Sequence, residues 1–386
     1  MANMNTLKET IPLSIYVHLP WCVKKCPYCD FNSHEAKNTI PEEAYIESLT
    51  KDLDQNLSTI NNREIVSIFF GGGTPSLFSP KSIATILNIL NNKLNLSKNT
   101  EITLEANPGT IDEKNFKGFK QAGVNRLSIG IQSLQDNKLK TLGRIHGRDS
   151  ALNAINIAIN SGFDNFNLDL MHGLPNQSVE DSLNDIKDAL NFAPNHLSWY
   201  QLTIEPNTLF HHNPPKLPLE NTLFNIQEAG KAELLKQNLN QYEVSAYSKQ
   251  SYECAHNINY WEFGDYLGIG AGAHSKITDV DKQIITRHWQ LKNPKDYMNP
   301  NKKNQPRQSI LSTNDIIFEF MLNALRLTNG FSKSLFNERT GLSINIINDK
   351  LKQALHKKLL LENSERILTT ELGKKFLNDS IGIFLP

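Results

Sequence analysis

The chain has 386 residues, enough for one large domain and a smaller companion, and its 40 basic and 40 acidic residues give a formal net charge of zero. This balance excludes the bulk electrostatic field that recruits nucleic acid or an anionic membrane, so partners must be recognised by local shape. No apolar run reaches the roughly 18 residues of a membrane span, and residues 1–13 lack the apolar core of a signal peptide, which predicts a cytoplasmic protein that is not membrane-embedded.

Six short runs rich in β-branched and aromatic residues occur in the first 240 residues, and several are followed by a longer amphipathic run. The short runs begin at Leu13, Glu64, Thr100, Asn125, Phe166 and His196. Amphipathic stretches begin at Pro41, Ser79, Asp149 and Ser178. This alternation predicts right-handed crossovers and a parallel sheet, either doubly wound or curled into a barrel. Periodicity alone does not choose between these two architectures.

Polar or glycine-rich residues stand at the ends of five predicted strands. In both parallel architectures the carboxyl ends of the strands carry the site, so we expect these residues to meet there. For any one strand, a simple polar turn explains the pattern equally well. The residues are His18, Gly71 to Thr74, Glu105 with Asn107, Gln132, and Asp169 with His172.

After about residue 245 the alternation stops, and the chain is predicted to divide into three parts: 1–245, a middle segment and connector at 246–310, and 311–386. The last part shows three helical stretches, two short strands and a final short helix, which is a winged-helix outline. Such an outline often binds DNA, but the balanced charge and the absence of a dense basic helix favour a docking or lid module.

Three of the four cysteines, Cys22, Cys26 and Cys29, follow the spacing CxxxCxxC after the first strand. In a reducing compartment such clustering indicates metal binding, while Cys254, far away, is expected to be a small buried hydrophobe. Zinc would require a fourth ligand, which His18 or His34 could supply. A cubane 4Fe-4S cluster would instead keep one iron open to an external ligand.

With the "GGGTP" that ends the second strand and the six-fold βα pattern, this motif resembles the radical S-adenosylmethionine superfamily. The resemblance implies an α/β fold: an incomplete (β/α)6 TIM-like barrel with a C-terminal helical, winged-helix-like domain. It also implies a 4Fe-4S cluster on the three cysteines, S-adenosylmethionine on the open iron, and an electron donor if that molecule is cleaved. Glycines at the strand end would let the backbone approach the ligand closely. The nucleotide-binding positions implied are Tyr16, Tyr28, Gly72, Gly73, Thr74, Glu105, Gln132, Arg144 and Asp169.

Further stretches, including "LEANP", "RLSIGIQS" and "NLDLMHGLPNQ", resemble the coproporphyrinogen oxidase-like branch of that superfamily. The oxidases carry another cysteine two positions after the third, where this chain has Phe31, and a longer segment before the cysteines than the 21 residues here. Both departures resemble the branch's heme chaperones, as does an HNxxYW signature at residues 256–261. The resemblance implies heme binding and delivery to a respiratory or storage hemoprotein. An oxygen-independent coproporphyrinogen III oxidase and a radical methyltransferase remain the alternatives.

A heme carrier needs an axial ligand or a covalent anchor, an apolar slot and a partner for the propionates. His256, beside the aromatic Tyr260 and Trp261, is the preferred ligand candidate because aromatic rings can pack on the porphyrin face. The alternative is that His256 forms a local hydrogen bond and braces its segment against the barrel. Weaker candidates are Cys254 and the pair His211 and His212. We also expect a homodimer that responds to cluster loss, because the cysteine loop should lie near the barrel mouth.

Overall fold

A computed structural model describes residue 7 and residues 11–60, 63–110, 112–302 and 307–386. The strands of the first 250 residues are β1 (Leu13–Leu19), β2 (Trp21–Cys22), β3 (His34–Glu35), β4 (Glu64–Gly72), β5 (Asn95–Ala106), β6 (Arg126–Gln132), β7 (Phe166–His172), β8 (His196–Gln201), β9 (Asn240–Glu243) and β10 (Ala246–Ser248). The helices of the same part are α1 (Glu42–Ile60), α2 (Pro80–Lys93), α3 (Glu113–Ala122), α4 (Asp136–Thr141), α5 (Arg148–Asn160), α6 (Val179–Leu190), α7 (Leu209–His212) and α8 (Glu220–Lys236).

All six predicted strands form, and they pair in parallel in the order β1-β4-β5-β6-β7-β8. The order follows the chain without reversal, whereas a doubly wound sheet reverses direction at a switch point. The alternative that periodicity left open is therefore resolved in favour of the barrel-type succession. Since all six strands run the same way, their carboxyl ends lie at one edge, with Glu105 opposite Ser128 in the β5–β6 register.

The sheet continues beyond these six strands on both sides. The remaining chain first forms α9 (Ala255–Trp261), β11 (Asp265–Ile269), β12 (His274–Asp279), β13 (Ile284–Trp289), α10 (Pro294–Tyr297) and β14 (Arg307–Ile310). Strand β11 pairs in parallel with β1, and β12, β13 and β14 follow antiparallel, while β10 and β9 extend the other side. The twelve strands run from β14 to β9, and no pairing between described residues of these two edge strands closes a barrel.

The helices begin where the sequence signals them. The Ser178 hydroxyl accepts a hydrogen bond from the backbone N–H of Asp181, and the Asp181 carboxylate accepts one from the backbone N–H of Ser178. These two bonds form a capping box at the start of α6. Ser79 caps α2, with Pro80 at its first position. No helix in the described ranges is long and apolar enough to cross a membrane.

The C-terminal part is helical with a small antiparallel sheet. It contains α11 (Thr313–Ala324), β15 (Phe331–Ser332), α12 (Lys333–Thr340), a 3-10 turn (Ile344–Ile347), α13 (Asn348–His356), β16 (Leu360–Glu362), β17 (Arg366–Thr369), α14 (Glu371–Lys375) and α15 (Leu377–Gly382). Its core packs Phe320 against Phe331 and Phe336, and also against Phe263 from the middle segment. The predicted three helices and two strands form, with β15 as an added strand. The predicted divisions at residues 245 and 310 stay predictions, because β9 to β14 continue one sheet.

Candidate functional site

The three clustered cysteines lie in and beside a loop whose two ends are held together by a short parallel ladder. Cys22 ends β2, Cys26 and Cys29 follow it, and β2 pairs with β3 through Trp21 and His34. Inside the loop, the N–H of Cys29 donates to the carbonyl oxygen of Cys26 at 3.1 Å. All three thiols are free. Backbone pairing therefore fixes the ends of the loop that carries Cys26 and Cys29.

The glycine-rich end of β4 packs directly against this loop. A Cβ on Gly72, whose φ is +116°, would lie 2.5 Å from the ring of His18. A Cβ on Gly73 would lie 2.5 Å from the carbonyl oxygen of Trp21, and the Gly73 N–H donates to the carbonyl of Leu19 at 2.9 Å. Any side chain would collide at both positions. Gly72 is therefore required by the close approach of His18 on β1, and Gly73 by that of Trp21 at the start of the cysteine loop, whatever ligand the backbone also meets.

The histidines that could complete a zinc site are engaged elsewhere. The ring nitrogens of His18 lie 3.2 Å from the Tyr16 hydroxyl and 2.9 Å from the Asn32 carbonyl oxygen. The Nε2 of His34 lies 3.3 Å from the carbonyl oxygen of Lys292. Among the described residues, no three His, Cys, Asp or Glu side chains are grouped to hold a single metal ion. The arrangement therefore does not favour the zinc alternative.

A cavity of about 500 Å³ opens at the carboxyl ends of the parallel strands. This volume falls within the roughly 300–1,000 Å³ that is usual for small-molecule sites. All three clustered cysteines line it, and so do eight of the nine residues implied by the family resemblance. These eight are Tyr28, Gly72, Gly73, Thr74, Glu105, Gln132, Arg144 and Asp169. The chain thus brings together side chains that lie more than 140 positions apart in the sequence.

Tyr16 is the ninth implied residue, and it does not line the cavity. Its ring stacks on Phe69 with the centroids 6.2 Å apart, and its hydroxyl lies beside the Nδ1 of His18. A Cβ on Gly71 would lie 2.9 Å from the same ring. Burial raises the pKa of the Tyr16 phenol well above its usual value, so the group stays neutral. Tyr16 therefore packs against Phe69 and Gly71 of β4, next to the cavity lining.

Two carboxyl groups face the cavity, one from β5 and one from β7. Glu105 accepts from the N–H of Gly72 at 3.2 Å, and desolvation together with the charge of Asp169 raises its pKa to about 8. Asp169 accepts from Ser128 Oγ at 2.9 Å and from Asn167 Nδ2 at 2.8 Å, and desolvation raises its pKa. Two desolvated carboxyls favour a ligand that donates hydrogen bonds or carries positive charge.

Arg144 places a cation beside the cysteine loop. Its Nη1 lies 3.7 Å from the Sγ of Cys26 and 3.4 Å from the hydroxyl of Tyr28, and its Nη2 donates to the carbonyl of Gly130 at 2.7 Å. Its Nε is buried and has no partner among the described residues. A guanidinium with a spare donor can face a ligand carboxylate, and its charge also suits a neighbouring thiolate.

Gln132 ends β6 in a strained conformation. Its φ is +71°, which is unusual for a residue with a side chain, and such outliers cluster at functional sites. The Tyr200 hydroxyl donates to its Oε1 at 2.7 Å. The carboxamide N–H2 of Gln132 is thereby oriented by Tyr200, a cavity residue that sequence analysis did not single out although it stands near the end of β8.

Comparisons with known proteins agree over the whole chain. A radical SAM superfamily profile matches residues 16–189 and a HemN C-terminal domain profile matches residues 311–376. The heme chaperone HemW of Haemophilus influenzae is 48% identical over 382 residues, covering 97% of this chain and 98% of that protein. The heme chaperone HemW of Escherichia coli is 46% identical over 374 residues, with coverage of 97% and 98%. The chain belongs to the HemW family.

Membership of this family, within the radical SAM superfamily, implies a 4Fe-4S cluster and S-adenosylmethionine. The solved coproporphyrinogen III oxidase HemN of Escherichia coli superposes with a TM-score of 0.82 at 22% identity, covering 97% of this chain and 90% of that chain. At this identity the likeness is one of fold. It confirms the predicted α/β radical SAM architecture with a C-terminal helical part, with a mixed sheet that does not close in the described residues.

The residues of this HemW-family chain fit the implied groups. Three free thiols stand at one side of the cavity, and a 4Fe-4S cluster bound by three thiolates has one iron left for another ligand. The buried Nε of Arg144 has no acceptor among the described residues, and the carboxyls of Glu105 and Asp169 line the same cavity. A zwitterionic nucleoside with ribose hydroxyls offers both a carboxylate and several donors. The donor and acceptor sets are therefore complementary.

His256 lies behind the cavity wall and does not line it in the structure. Its Nδ1 lies 3.0 Å from Ser67 Oγ, its ring centroid lies 4.9 Å from that of Phe69, and its backbone N–H donates to Glu101. Desolvation lowers its pKa to about 4, so the ring is neutral. This local bonding matches the bracing alternative, whereas Asn257 and Trp261 of the same signature do line the cavity.

The weaker heme-ligand candidates are also placed away from the cavity. Cys254 is buried, and its thiol donates to the Oε1 of Glu101 at 3.4 Å. Desolvation raises the pKa of this thiol to about 12, which keeps it protonated. His211 and His212 are exposed at the end of α7. None of the three lines the cavity.

A second set of cavity residues lies far in sequence from the cysteines. They stand at the end of β9 and the turn after it, on α9, and after α11. Only Trp261 and Asn257 belong to a signature that sequence analysis identified. The set is Glu243, Ser245, Asn257, Trp261 and Arg326.

Proposed function

We propose that this chain is a heme chaperone, which binds heme and transfers it to an acceptor hemoprotein, respiratory or storage. The observation that carries the proposal is a single cavity lined both by the three clustered cysteines and by Asn257 and Trp261 of the HNxxYW signature. Phe31 also lines this cavity and is 62% exposed. At its position the oxidases of this branch carry a further cysteine. An apolar rim beside a polar interior suits a flat macrocycle with charged side groups.

In this proposal Cys22, Cys26 and Cys29 hold a 4Fe-4S cluster. The cluster, when bound, supplies an open iron that the amino and carboxylate groups of S-adenosylmethionine can ligate. The guanidinium of Arg144 faces the carboxylate of that molecule, and its charge offsets the negative charge of the thiolates. The remaining contacts are assigned to Tyr28, Gly72, Gly73, Thr74, Glu105, Gln132 and Asp169, with Tyr16 behind them.

The proposal extends to partners and location. The cysteine loop exposes Val23 and Phe31, at 50% and 62%, which is an apolar surface that a second copy of the chain or the acceptor can cover. An electron donor is required if S-adenosylmethionine is cleaved. All four cysteines are free thiols, which suits a reducing compartment, so we propose the cytoplasm.

Heme titration after anaerobic reconstitution tests the function. We expect the reconstituted chain to shift the heme Soret band with saturation at a single heme per chain, and to lose that heme to an apo-b-type cytochrome added afterwards. Coproporphyrinogen III with a reductant is expected to remain unchanged, because the cysteine pattern departs from that of the oxidase at Phe31. Stoichiometric formation of protoporphyrinogen, or no Soret shift, would contradict the proposal.

We retain His256 as the proposed axial ligand, through Nε2. The same short helix α9 carries Asn257 and Trp261, which line the cavity. Because its ring does not line the cavity, ligation requires the ring to turn toward it. We expect His256→Ala to change the Soret spectrum and to lower heme affinity at least about tenfold.

The control is His356→Ala, which removes a histidine from α13, outside the cavity lining. It should leave both spectrum and affinity unchanged. A bracing role for His256 predicts a different outcome: a lower Tm for His256→Ala with an unaltered Soret position. That result would remove His256 as the ligand and leave heme binding by the wild type intact.

A further inference from the structure

Three polar side chains of the cavity lining each have a buried atom without a partner. They are the Oε2 of Glu243, the Nε1 of Trp261 and the Nε of Arg326, and no described residue forms a hydrogen bond with any of them. Glu243 is 3% exposed. Unpaired buried polar atoms are rare in folded proteins, because each loses its hydration without compensation. All three atoms belong to residues that line one cavity, where a ligand group can complete their bonding.

The fold fixes Arg326 at the cavity although it comes from the C-terminal part. The N–H of Val244 donates to the carbonyl of Arg326 at 3.1 Å, and the N–H of Thr328 donates to the carbonyl of Tyr242 at 3.0 Å. An antiparallel bridge joins Glu243 to Leu327 between them. The segment after α11 therefore pairs with the edge strand β9 through one antiparallel bridge. This pairing fixes the backbone of Arg326 without a bound ligand.

The side chain of Arg326 is positioned by an aromatic face. Its guanidinium carbon lies 4.6 Å from the ring centroid of Trp261, within cation–π range. Among the described residues the Nε of this guanidinium has no hydrogen-bond partner, and the charge of Arg326 acts on the Glu243 carboxyl. Stacking leaves the planar edge of the guanidinium, with its parallel donors, open to a carboxylate.

The neighbouring carboxyl belongs to Glu243. Desolvation raises its pKa, while the charge of Arg326 and backbone hydrogen bonds from Ser245 and Val244 act in the opposite direction. The guanidinium and the indole N–H are therefore the two donor groups of this part of the cavity lining.

We infer that Arg326 and Trp261 form a carboxylate-binding subsite of the cavity, which takes a propionate group of the porphyrin. The inference rests on the proposed heme function, since it names the anionic group that the cavity binds. Arg144 lies beside the cysteine loop and Arg326 beside β9, so the two arginines serve different carboxylates. Arg326 supplies charge and two parallel donors, and Trp261 supplies the stacking face and one N–H.

The test compares heme with its dimethyl ester, which retains the macrocycle and iron but lacks both carboxylates. We expect the wild type to bind heme about 10- to 100-fold more tightly than the ester, which is the range for a hydrogen-bonded charged group. Arg326→Met should lose most of this preference by weakening heme and leaving the ester unchanged. Arg326→Lys keeps the positive charge but lacks the two parallel donors of the guanidinium, so it should retain part of the preference for heme over the ester. Trp261→Phe should also retain part of the preference, since it keeps an aromatic face but loses the indole N–H and one of the two fused rings.

Arg307→Met is the matched control, because Arg307 is exposed on β14 and does not line the cavity. It should bind both ligands as the wild type does. Equal wild-type affinity for heme and ester, or an Arg326→Met variant with wild-type Tm and an unchanged preference for heme, would overturn the subsite. Failure of the wild type to bind heme at all would instead overturn the proposed function, so the two failures are distinguishable.

Discussion

Cys26→Ser is expected to reduce the iron and acid-labile sulfide of the anaerobically reconstituted protein to near zero. Three thiolates are the fewest that hold a cubane cluster with one open iron, and serine replaces one of them with a much weaker iron ligand. Cys26 is the best of the three positions to change, because it is only partly buried whereas Cys22 is buried. Iron and sulfide analysis, together with the visible absorption of the cluster, measures the outcome.

Cys254→Ser is the control for this prediction. Cys254 is buried far from the cavity lining, and serine keeps a hydrogen-bond donor for Glu101. Iron content should remain at the wild-type level in this variant. A full complement of iron in Cys26→Ser, with a Tm close to that of the wild type, would show that the cluster is not bound by these three cysteines.

The same two variants examine the proposed homodimer. Phe31 and Val23 are exposed on the cysteine loop, so a loop that loses its cluster should present a different surface to a second copy. Size exclusion of loaded wild type and Cys26→Ser should therefore give different elution profiles, and Cys254→Ser should follow the wild type. Coinciding profiles for all three proteins would exclude a link between the cluster and dimer formation.

The strands could be predicted where local composition decided them. All six runs from Leu13 to His196 are strands because β-branched and aromatic residues recur in them, and β1, β6 and β7 are buried over nearly their whole length. Sequence analysis did not predict β11 as a parallel neighbour of β1, because the strand is short and lies in a glycine-rich segment, and only the register from Leu13–Asp265 to Val17–Ile269 reveals the pairing. A long-range register of this kind leaves no periodic signal in a single stretch of sequence.

The candidate site likewise contains residues that could be predicted from the sequence and residues that could not. The cysteines and the strand-end residues could be predicted because each follows its own strand or motif, and parallel strands bring such ends to one edge. Arg326 could not, because a single bridge from Glu243 to Leu327 brings it to the cavity. For His256 the sequence motif is clear, but it does not reveal the position of the side chain. The ring packs against Tyr16 of β1 and Phe69 of β4 and does not line the cavity.

We expect the buried ionic cluster around Asp265, at the start of β11, to contribute strongly to the stability of the fold. Asp265 is fully buried and accepts from Lys276 Nζ at 2.7 Å and from Arg63 Nη1 at 2.9 Å. It also accepts from the backbone N–H and the hydroxyl of Thr278 at 2.8 and 2.9 Å. Arg63 in turn donates to the carbonyl of Ile11. One carboxylate thus joins β11, β12 and the entry to β1.

Asp265→Asn is expected to lower the free energy of unfolding by about 3–5 kcal/mol, because it leaves Lys276 and Arg63 without their counter-charge. Chemical denaturation measures this change. Asp279→Asn is the matched control, since the Asp279–Lys282 pair lies at the surface and its loss should leave the free energy of unfolding nearly unchanged. Adding Lys276→Met to Asp265→Asn should recover part of the loss, because the fully buried lysine then no longer lacks a partner.

The pH dependence gives this prediction an independent check. Burial raises the pKa of Asp265, but the charges of Lys276 and Arg63 outweigh burial and hold it below its usual range. A depressed pKa in the folded state stabilises the protein above the unfolded value of about 3.9, and this contribution is lost as the pH falls through the folded pKa. The stability difference between wild type and Asp265→Asn should therefore be constant above about pH 5 and shrink below about pH 4. A difference that grows on acidification would contradict an ionised Asp265 at the centre of this cluster.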